Sequence, residues 1–315
     1  MIANDVSYWL LEPTVLDGYN PVADRILLDQ FCTHIWAFYK DQGRSFPWRD
    51  TCDPYRILLS ELMLQQTQTE RVLPKYAEFL SIWPDFSSIA HSALLEILSR
   101  WKGLGYNRRA LALRNIAIKS EAYGWTLPDD YATLLEFPMI GPATASAILS
   151  FCYGKPSIYL ETNIRRVMIH QFFPGEESVG DAAIKMVLGQ LVDMQSDFKH
   201  WYYALMDYGV FLKRMIPNPN RHSAHYKRQG KFEDSNRQIW GMLLLLFTER
   251  GVLNRSQLYG SLPFEGERIE ECLQALMREG FIADMTAWRK TLPNIEVAEE
   301  QSWYGIVRPE DTEAH

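Results

Sequence analysis

The segment Pro138-Met139-Ile140-Gly141-Pro142 constrains the fold of this chain more than any other. It interrupts a helical apolar pattern that runs from about Asp130 to Phe137 and restarts in ATASAILSFCYG. A break this short, marked by two prolines and a glycine, sends the second helix back along the first as an antiparallel hairpin. Gly141 and the small Ala143, Ala145 and Ala147 leave the amides at the start of the second helix with little side chain over them. Unpaired amides at a helix start suit a phosphate. An ordinary packed helical hairpin fits the same residues.

Around this hairpin the first 215 residues read as helical almost throughout, with apolar positions three and four apart and short loops marked by Pro, Gly, Asp and Ser. Asp53 as N-cap and Pro54 in the first turn announce a helix through YRILLSELMLQQ. No internal repeat is visible. Residues 217–233 are polar, basic and rich in Pro and Asn, as an interdomain linker or a surface loop would be. Beyond them the periodicity predicts helices over 238–250, 256–262 and 268–279, and then two strands or ribbon arms in FIADMTAWRK and QSWYGIV. Three helices closed by a hairpin form the pattern of a winged helix. The expected fold class is mainly α, with a helical domain over 1–235 that includes a basic loop at 213–235, and a winged-helix-like domain with an acidic tail over 236–315.

A formal charge of −7 argues weakly against a nucleic-acid binder, but its distribution argues otherwise. Residues 99–119 carry Arg100, Lys102, Arg108, Arg109, Arg114 and Lys119 with no acidic residue. Residues 213–237 carry Lys213, Arg214, Arg221, Lys227, Arg228, Lys231 and Arg237 against only Glu233 and Asp234. Each run taken alone reads as a solvated face; two together suggest a binding surface. The acidity gathers near the end, in Glu296, Glu299, Glu300, Glu310, Asp311 and Glu313. No apolar run approaches the roughly 20 residues of a membrane span, and no Lys or Arg precedes Arg25, so neither membrane insertion nor export is expected. Cys32, Cys52, Cys152 and Cys272 stand far apart with no CxxC pair, which gives no disulfide framework and no clustered metal or iron-sulfur site. A cytoplasmic setting is expected, nucleoid-associated in a prokaryote.

Glu61 is the first candidate for chemistry, because Ile57, Leu58 and Leu64 are among its helical neighbours. Desolvation raises a carboxyl pKa, and a carboxylic acid still protonated near neutral pH can act as a general acid. A helix Glu that reaches the surface is the alternative. WKGLGYNRRALALR adds a Gly-bracketed turn in which Tyr106 and Asn107 precede Arg108 and Arg109. An aromatic beside guanidinium groups is what stacking on bases and gripping phosphates requires.

Taken in order, FPWR at 46–49, PYRILLSELMLQQTQT, WKGLGYNRRA, FPMIGPATASAILSF, LETNIRRV and ALMDYGV at 204–210 strongly resemble the helix-hairpin-helix (HhH-GPD) DNA glycosylase superfamily. The resemblance covers about residues 30–215. Within the superfamily it is closest to the branch that excises mispaired adenine (MutY-like), because of the LSE-MLQQTQ segment. It implies that Glu61 protonates the departing base, that Gln65 and Gln66 lie at the wedge entering the duplex, and that Tyr106 intercalates beside the mispair. It further implies that Asn107, Arg108, Arg109 and Arg165 contact DNA and that Ile140, Gly141, Ala143 and Thr144 hold phosphate. The backbone of 138–145 resembles a monovalent-cation site as well; no metal site made of side chains is implied. Glu161 stands where the superfamily has its second carboxylate, an Asp, and Asn163 matches the adenine branch's Asn two residues later.

The chain departs from that pattern at several places. Glu161 is one methylene longer than Asp. Ala143 replaces the Lys that forms a Schiff base in bifunctional lyases, so monofunctional excision is implied. Met139 stands where Gly is usual. After ALMDYGV the chain reads LKRMIPNPNRHSAHYKRQ, without the four-cysteine motif, so no iron-sulfur cluster and no other cofactor is expected; Lys213, Arg214, Arg221, Lys227 and Arg228 are candidates for the cluster's duplex contacts. The resemblance thus implies hydrolysis of an N-glycosidic bond in double-stranded DNA, first of all at mispaired adenine. A glycosylase for another damaged, mispaired or modified base is the alternative within enzymes. A catalytically silent DNA-binding or regulatory protein is the alternative of another class.

Overall fold

The computed structural model describes residues 6–16, 21–226, 232–286 and 302–307; for residues 21–23 it describes the backbone alone. Lys227, Arg228, Lys231 and the acidic residues of the tail lie outside the described residues. The chain forms two compact units, one of Met1–Leu58 with Pro128–Arg228 and one of Leu59–Leu127 with Gln229–His315.

In the first unit the long helix Phe198–Met215 packs against Pro21–Gln42 and Thr162–Phe172. The packing follows from its sequence: Trp201, Tyr202, Leu205, Tyr208 and Leu212 recur at helical spacing and are all fully buried. The hairpin expected at residues 138–142 is present. Tyr131–Leu135 opens on Asp130, whose carboxylate accepts from the Thr133 amide at 2.8 Å, and Pro142–Tyr153 closes on Gly154 in the left-handed conformation. Ala147 and Phe151 of the second helix enter the core of this unit.

One polar cluster in this core joins two of the sequence motifs. Asp207 of ALMDYGV is 3% exposed and receives both terminal nitrogens of Arg49, from FPWR, at 2.8 Å each, as well as the Arg44 Nε at 2.7 Å and the Arg44 amide at 2.8 Å. The Arg49 guanidinium also donates to the Arg44 carbonyl at 2.6 Å and lies over the Tyr203 ring at 4.5 Å.

The segment expected as a linker divides at the limit of the described residues. Pro219–His222 is a 3-10 turn with Pro219 and Asn220 buried; the Asn220 side chain donates to the Thr162 carbonyl at 3.0 Å, and the Val179 amide donates to the His222 carbonyl at 2.7 Å. Within 217–226, Pro219, Asn220 and Ser223 are therefore packed while the residues around them stay largely exposed. Asn218 and Asn220, which composition reads as loop formers, here satisfy backbone groups with their side chains.

The second unit holds Thr69–Ile82, Phe86–Ala90, Leu94–Trp101 and Arg108–Ser120, around Tyr76, Phe79, Phe86, Trp101 and Leu113. Its C-terminal part has helices Asn236–Arg250, Arg255–Ser261 and Gly266–Arg278, close to where the periodicity puts them. Strands β1 (Leu253–Asn254), β2 (Ile282–Asp284) and β3 (Trp303–Ile306) form an antiparallel sheet in the order β1-β3-β2, with Leu253 opposite Tyr304 and Ile282 opposite Ile306. β2 and β3 lie within the two segments read as strands, whereas β1 is too short for a periodicity to register. The stretch 287–301 between them is outside the described residues. Among the described residues no helix is long and apolar enough to cross a membrane.

Candidate active site

Glu61 sits on the helix Pro54–Leu64, which starts where Asp53 accepts from the Arg56 amide at 2.8 Å. Ile57, Leu58, Leu62 and Met63 around it are fully buried, while Glu61 itself is half-buried. Its carboxyl thus stands at the margin of an apolar face.

The helix ends in a turn carrying Gln65, half-buried, and Gln66, exposed with φ +54°. A second turn, Gly103 to Asn107, places Tyr106 at φ +49°, 39% exposed, and Asn107 in αR geometry at the start of Arg108–Ser120. Left-handed backbone is costly for residues with a Cβ and persists only where the surroundings enforce it. Both turns expected at the wedge carry such a residue.

Arg109 corrects the expectation that it grips a phosphate. It is 2% exposed, and its NH1 donates to the carbonyls of Leu62, Met63 and Gln65 at 2.8, 2.9 and 2.6 Å. NH2 donates to the Thr67 hydroxyl at 3.1 Å and to the carbonyls of Leu104 and Gly105 at 3.0 and 2.8 Å, and Nε to the Tyr106 carbonyl at 3.3 Å. Burial brings this guanidinium down to about 10, so it remains a cation at neutral pH. Its donors are spent on backbone carbonyls and the Thr67 hydroxyl.

Most of the first basic run is also engaged within the protein, mainly by carboxylates. Arg108 is paired through two contacts of 2.6 Å with Glu279 and lies over Trp240 at 4.6 Å. Arg100 pairs with Glu78 and Lys102 with Glu249, each at 3.2 Å, and the buried Arg114 donates to the Ser92 carbonyl at 3.1 Å. A phosphate at Arg108 has to displace a carboxylate. Lys213, Arg214 and Arg221 of the second run are exposed, with no carboxylate paired to them among the described residues.

In the hairpin, Met139 has φ +56°, which accounts physically for a glycine at the equivalent place in the resembled pattern. Ile140 is corrected: its side chain is buried and its amide already donates to the Phe137 carbonyl at 3.2 Å. The Gly141 carbonyl accepts from Ala145 at 2.9 Å, and the exposed Ala143 and the buried Thr144 stand before the first intrahelical bond. Their amides have no partner four residues back, as at any helix start.

Glu161 is the N-cap of Thr162–Phe172. One carboxylate oxygen accepts from the amides of Asn163 and Ile164 at 2.8 and 3.0 Å, and the other accepts from Asn163 Nδ2 at 3.3 Å. The Asn163 side-chain oxygen accepts from Arg166 at 2.8 Å, and Arg166 also donates to the Gly209 carbonyl at 2.8 Å. Burial raises the Glu161 pKa, while the two amides, Arg166 and the Asn163 side chain oppose it. Gly209 is required here, because a Cβ would lie 2.4 Å from the Asn163 carbonyl oxygen. Arg165, expected on DNA, is instead paired with Asp181, its NH2 at 3.2 Å, and holds that carboxyl below the usual range.

The structure thus gathers Glu161 and Asn163 in the first unit, and Gln65, Gln66 and Tyr106 in the second. Sequence reasoning missed Arg166, Gly209, Asp207 and Arg49. Asn163 and Arg166 stand at i,i+3, and the other three lie within motifs that carried no assigned role. Among the described residues no group of three or more His, Cys, Asp or Glu side chains is placed to hold a metal ion.

Residues 59–186 match the model of the HhH-GPD superfamily base excision DNA repair proteins. The adenine DNA glycosylase of Buchnera aphidicola subsp. Baizongia pistaciae is 33% identical over 187 residues, 58% of this chain and 52% of that protein. The adenine DNA glycosylase of Mycobacterium tuberculosis is 36% identical over 138 residues, 43% of this chain and 45% of that protein. The solved structure of a thermostable thymine-DNA glycosylase superposes with a TM-score of 0.53 at 25% identity, covering 59% of this chain and 88% of that chain. The chain spans about half the length of the curated relatives it matches.

Proposed function

Because the chain carries the HhH-GPD domain of base excision DNA repair proteins, we propose that it is a monofunctional DNA glycosylase acting first on mispaired adenine in duplex DNA. The observation that carries this reading is Glu161, a carboxylate fixed at a helix N-terminus with Asn163 bound to it. Glycosidic cleavage needs one carboxyl that donates a proton and one ionised carboxylate beside the anomeric carbon. Glu61 takes the first role: its proton goes to a ring nitrogen of the extruded base. The electron pair of the C1′–N bond then leaves with the base. Glu161 takes the second role and offsets the oxocarbenium charge. Water supplies the oxygen that bonds C1′, and its proton returns to a carboxylate. Extruding the base requires a wedge, here Gln65, Gln66 and Tyr106, and a backbone clamp, here the amides of Ala143 and Thr144.

We assign this chemistry to residues 1–235 without an iron-sulfur cluster. The four cysteines do not fit a four-thiolate site: Cys32, Cys52 and Cys152 belong to the first unit and Cys272 to the second, and residues 216–271 contain no cysteine. In this reading residues 236–315 are a winged-helix-like module. Its helix Gly266–Arg278 exposes Glu267 and Glu271, with Glu265 just before it, a surface that suits protein packing better than a DNA groove. That disfavours a silent binder that reads DNA through this module. A thymine or other pyrimidine substrate is the second reading, favoured by the match that covers most of the thymine-DNA glycosylase chain.

The test is a single-turnover panel of duplexes carrying mispaired, deaminated, oxidised and alkylated bases, developed with alkali. Adenine release from a mispair, leaving an intact abasic site with little borohydride-trapped adduct, is expected. Release of a pyrimidine alone supports the second reading, and release from no substrate refutes the enzyme. The unpaired cations of the second basic run give a further expectation. Lys213→Ala with Arg214→Ala should reduce the slope of log Kd against log salt by roughly 0.9 for each phosphate contact removed, read by fluorescence anisotropy. An unchanged slope shows that these side chains are merely solvated.

A further inference from the structure

We infer that Arg109 is the positioning residue that holds the two wedge turns in register for base extrusion, an inference that rests on the glycosylase reading above. Gln66 and Tyr106 are the left-handed residues of these turns, at φ +54° and +49°. The peptide group that precedes each of them sets its φ, and Arg109 binds the carbonyl of both groups: Gln65 at 2.6 Å and Gly105 at 2.8 Å. The same guanidinium takes the carbonyls of Leu62 and Met63, which end the helix carrying Glu61. Helix C-termini carry the negative end of the dipole and leave carbonyls without intrahelical partners, so a buried cation is well placed there. Thr67 adds a second tie, since its hydroxyl accepts from Arg109 at 3.1 Å and donates to the Leu104 carbonyl at 3.2 Å. No carboxylate pairs with Arg109 among the described residues, so its charge serves these carbonyls directly. The planar fork spans both turns at once. A lysine, with three donors on one nitrogen, does not.

The test is hydrogen exchange by mass spectrometry on the full-length Arg109→Lys variant. Peptides covering 64–68 and 103–107 are expected to exchange together, about tenfold or more faster than in the wild type, because the lost bonds involve a charged donor. Peptides of Thr69–Ile82 should stay unchanged. Thr67→Val, a milder change, should loosen the same two turns to a smaller degree and serves if the lysine variant does not fold. Loosening of one turn only, of neither, or of the whole unit uniformly overturns the inference.

Base release gives an independent reading. Arg109→Lys should be slower by about tenfold or more on a paired target, but close to wild type on a target base placed opposite an abasic gap, where there is no pair to break. Equal loss on both substrates also overturns it. Should the wild type release no base from either, the glycosylase reading fails, while the exchange result still decides whether Arg109 locks the turns.

Discussion

Glu161→Gln is expected to slow base release by about 10²–10³-fold while leaving duplex binding and the fold intact. The glutamine oxygen still accepts from the amides of Asn163 and Ile164, so the helix start is kept, while the charge and the bond from Asn163 Nδ2 are lost. Stability gives a second signature. The folded-state pKa of Glu161 is raised above its unfolded value by burial, so its contribution to stability is fully present below the unfolded value, near 4.3. That contribution is lost as pH rises through the folded value. Wild type should therefore lose ground to Glu161→Gln as pH rises from the unfolded value through the folded one, and base release should increase as Glu161 ionises. Urea melts across pH, set beside single-turnover rates, check both. A variant that is fully active, or whose stability relative to wild type does not change with pH, contradicts the assignment.

Asp207→Ala is expected to destabilise the first unit by about 3–5 kcal/mol, because it strands a buried guanidinium. Asp207 binds both terminal nitrogens of Arg49 at 2.8 Å and the Arg44 Nε at 2.7 Å, and Arg49 is itself buried. The same change should disturb the chemistry, since Gly209, two residues on, touches Asn163 and accepts from Arg166. Arg49→Met with Asp207→Leu should recover most of the stability, because it removes the unpaired charge together with its partner. Urea unfolding midpoints of the two variants measure this. A loss below about 1 kcal/mol for Asp207→Ala would place the cluster among weakly contributing ion pairs.

The helical hairpin was legible because its signal is local: two prolines and a glycine between apolar stretches leave few alternatives. The capped starts at Asp53 and Asp130 were of the same kind. Positions set by distant partners were not. Arg109 looks like its neighbour Arg108 in sequence, yet one is caged by carbonyls from two turns and the other lies over Trp240 beside Glu279. The first basic run suffered the same error: the carboxylates that neutralise Lys102 and Arg108 lie beyond residue 240. Asp207 and Arg49 stood in quoted motifs, but their pairing spans 158 residues and leaves no periodic trace. The φ of Met139 was legible only through the resemblance, since methionine by itself does not announce a left-handed turn.

The most direct test of the central claim is the single-turnover rate of Glu61→Gln on the best duplex substrate, with anisotropy measured on the same duplex. Glutamine keeps the shape of the side chain at the margin of the Ile57 and Leu58 face but has no proton to transfer. The account predicts binding within about threefold of wild type and base release slower by roughly 10²–10⁴-fold. A Glu61→Gln rate within about threefold of wild type would contradict it.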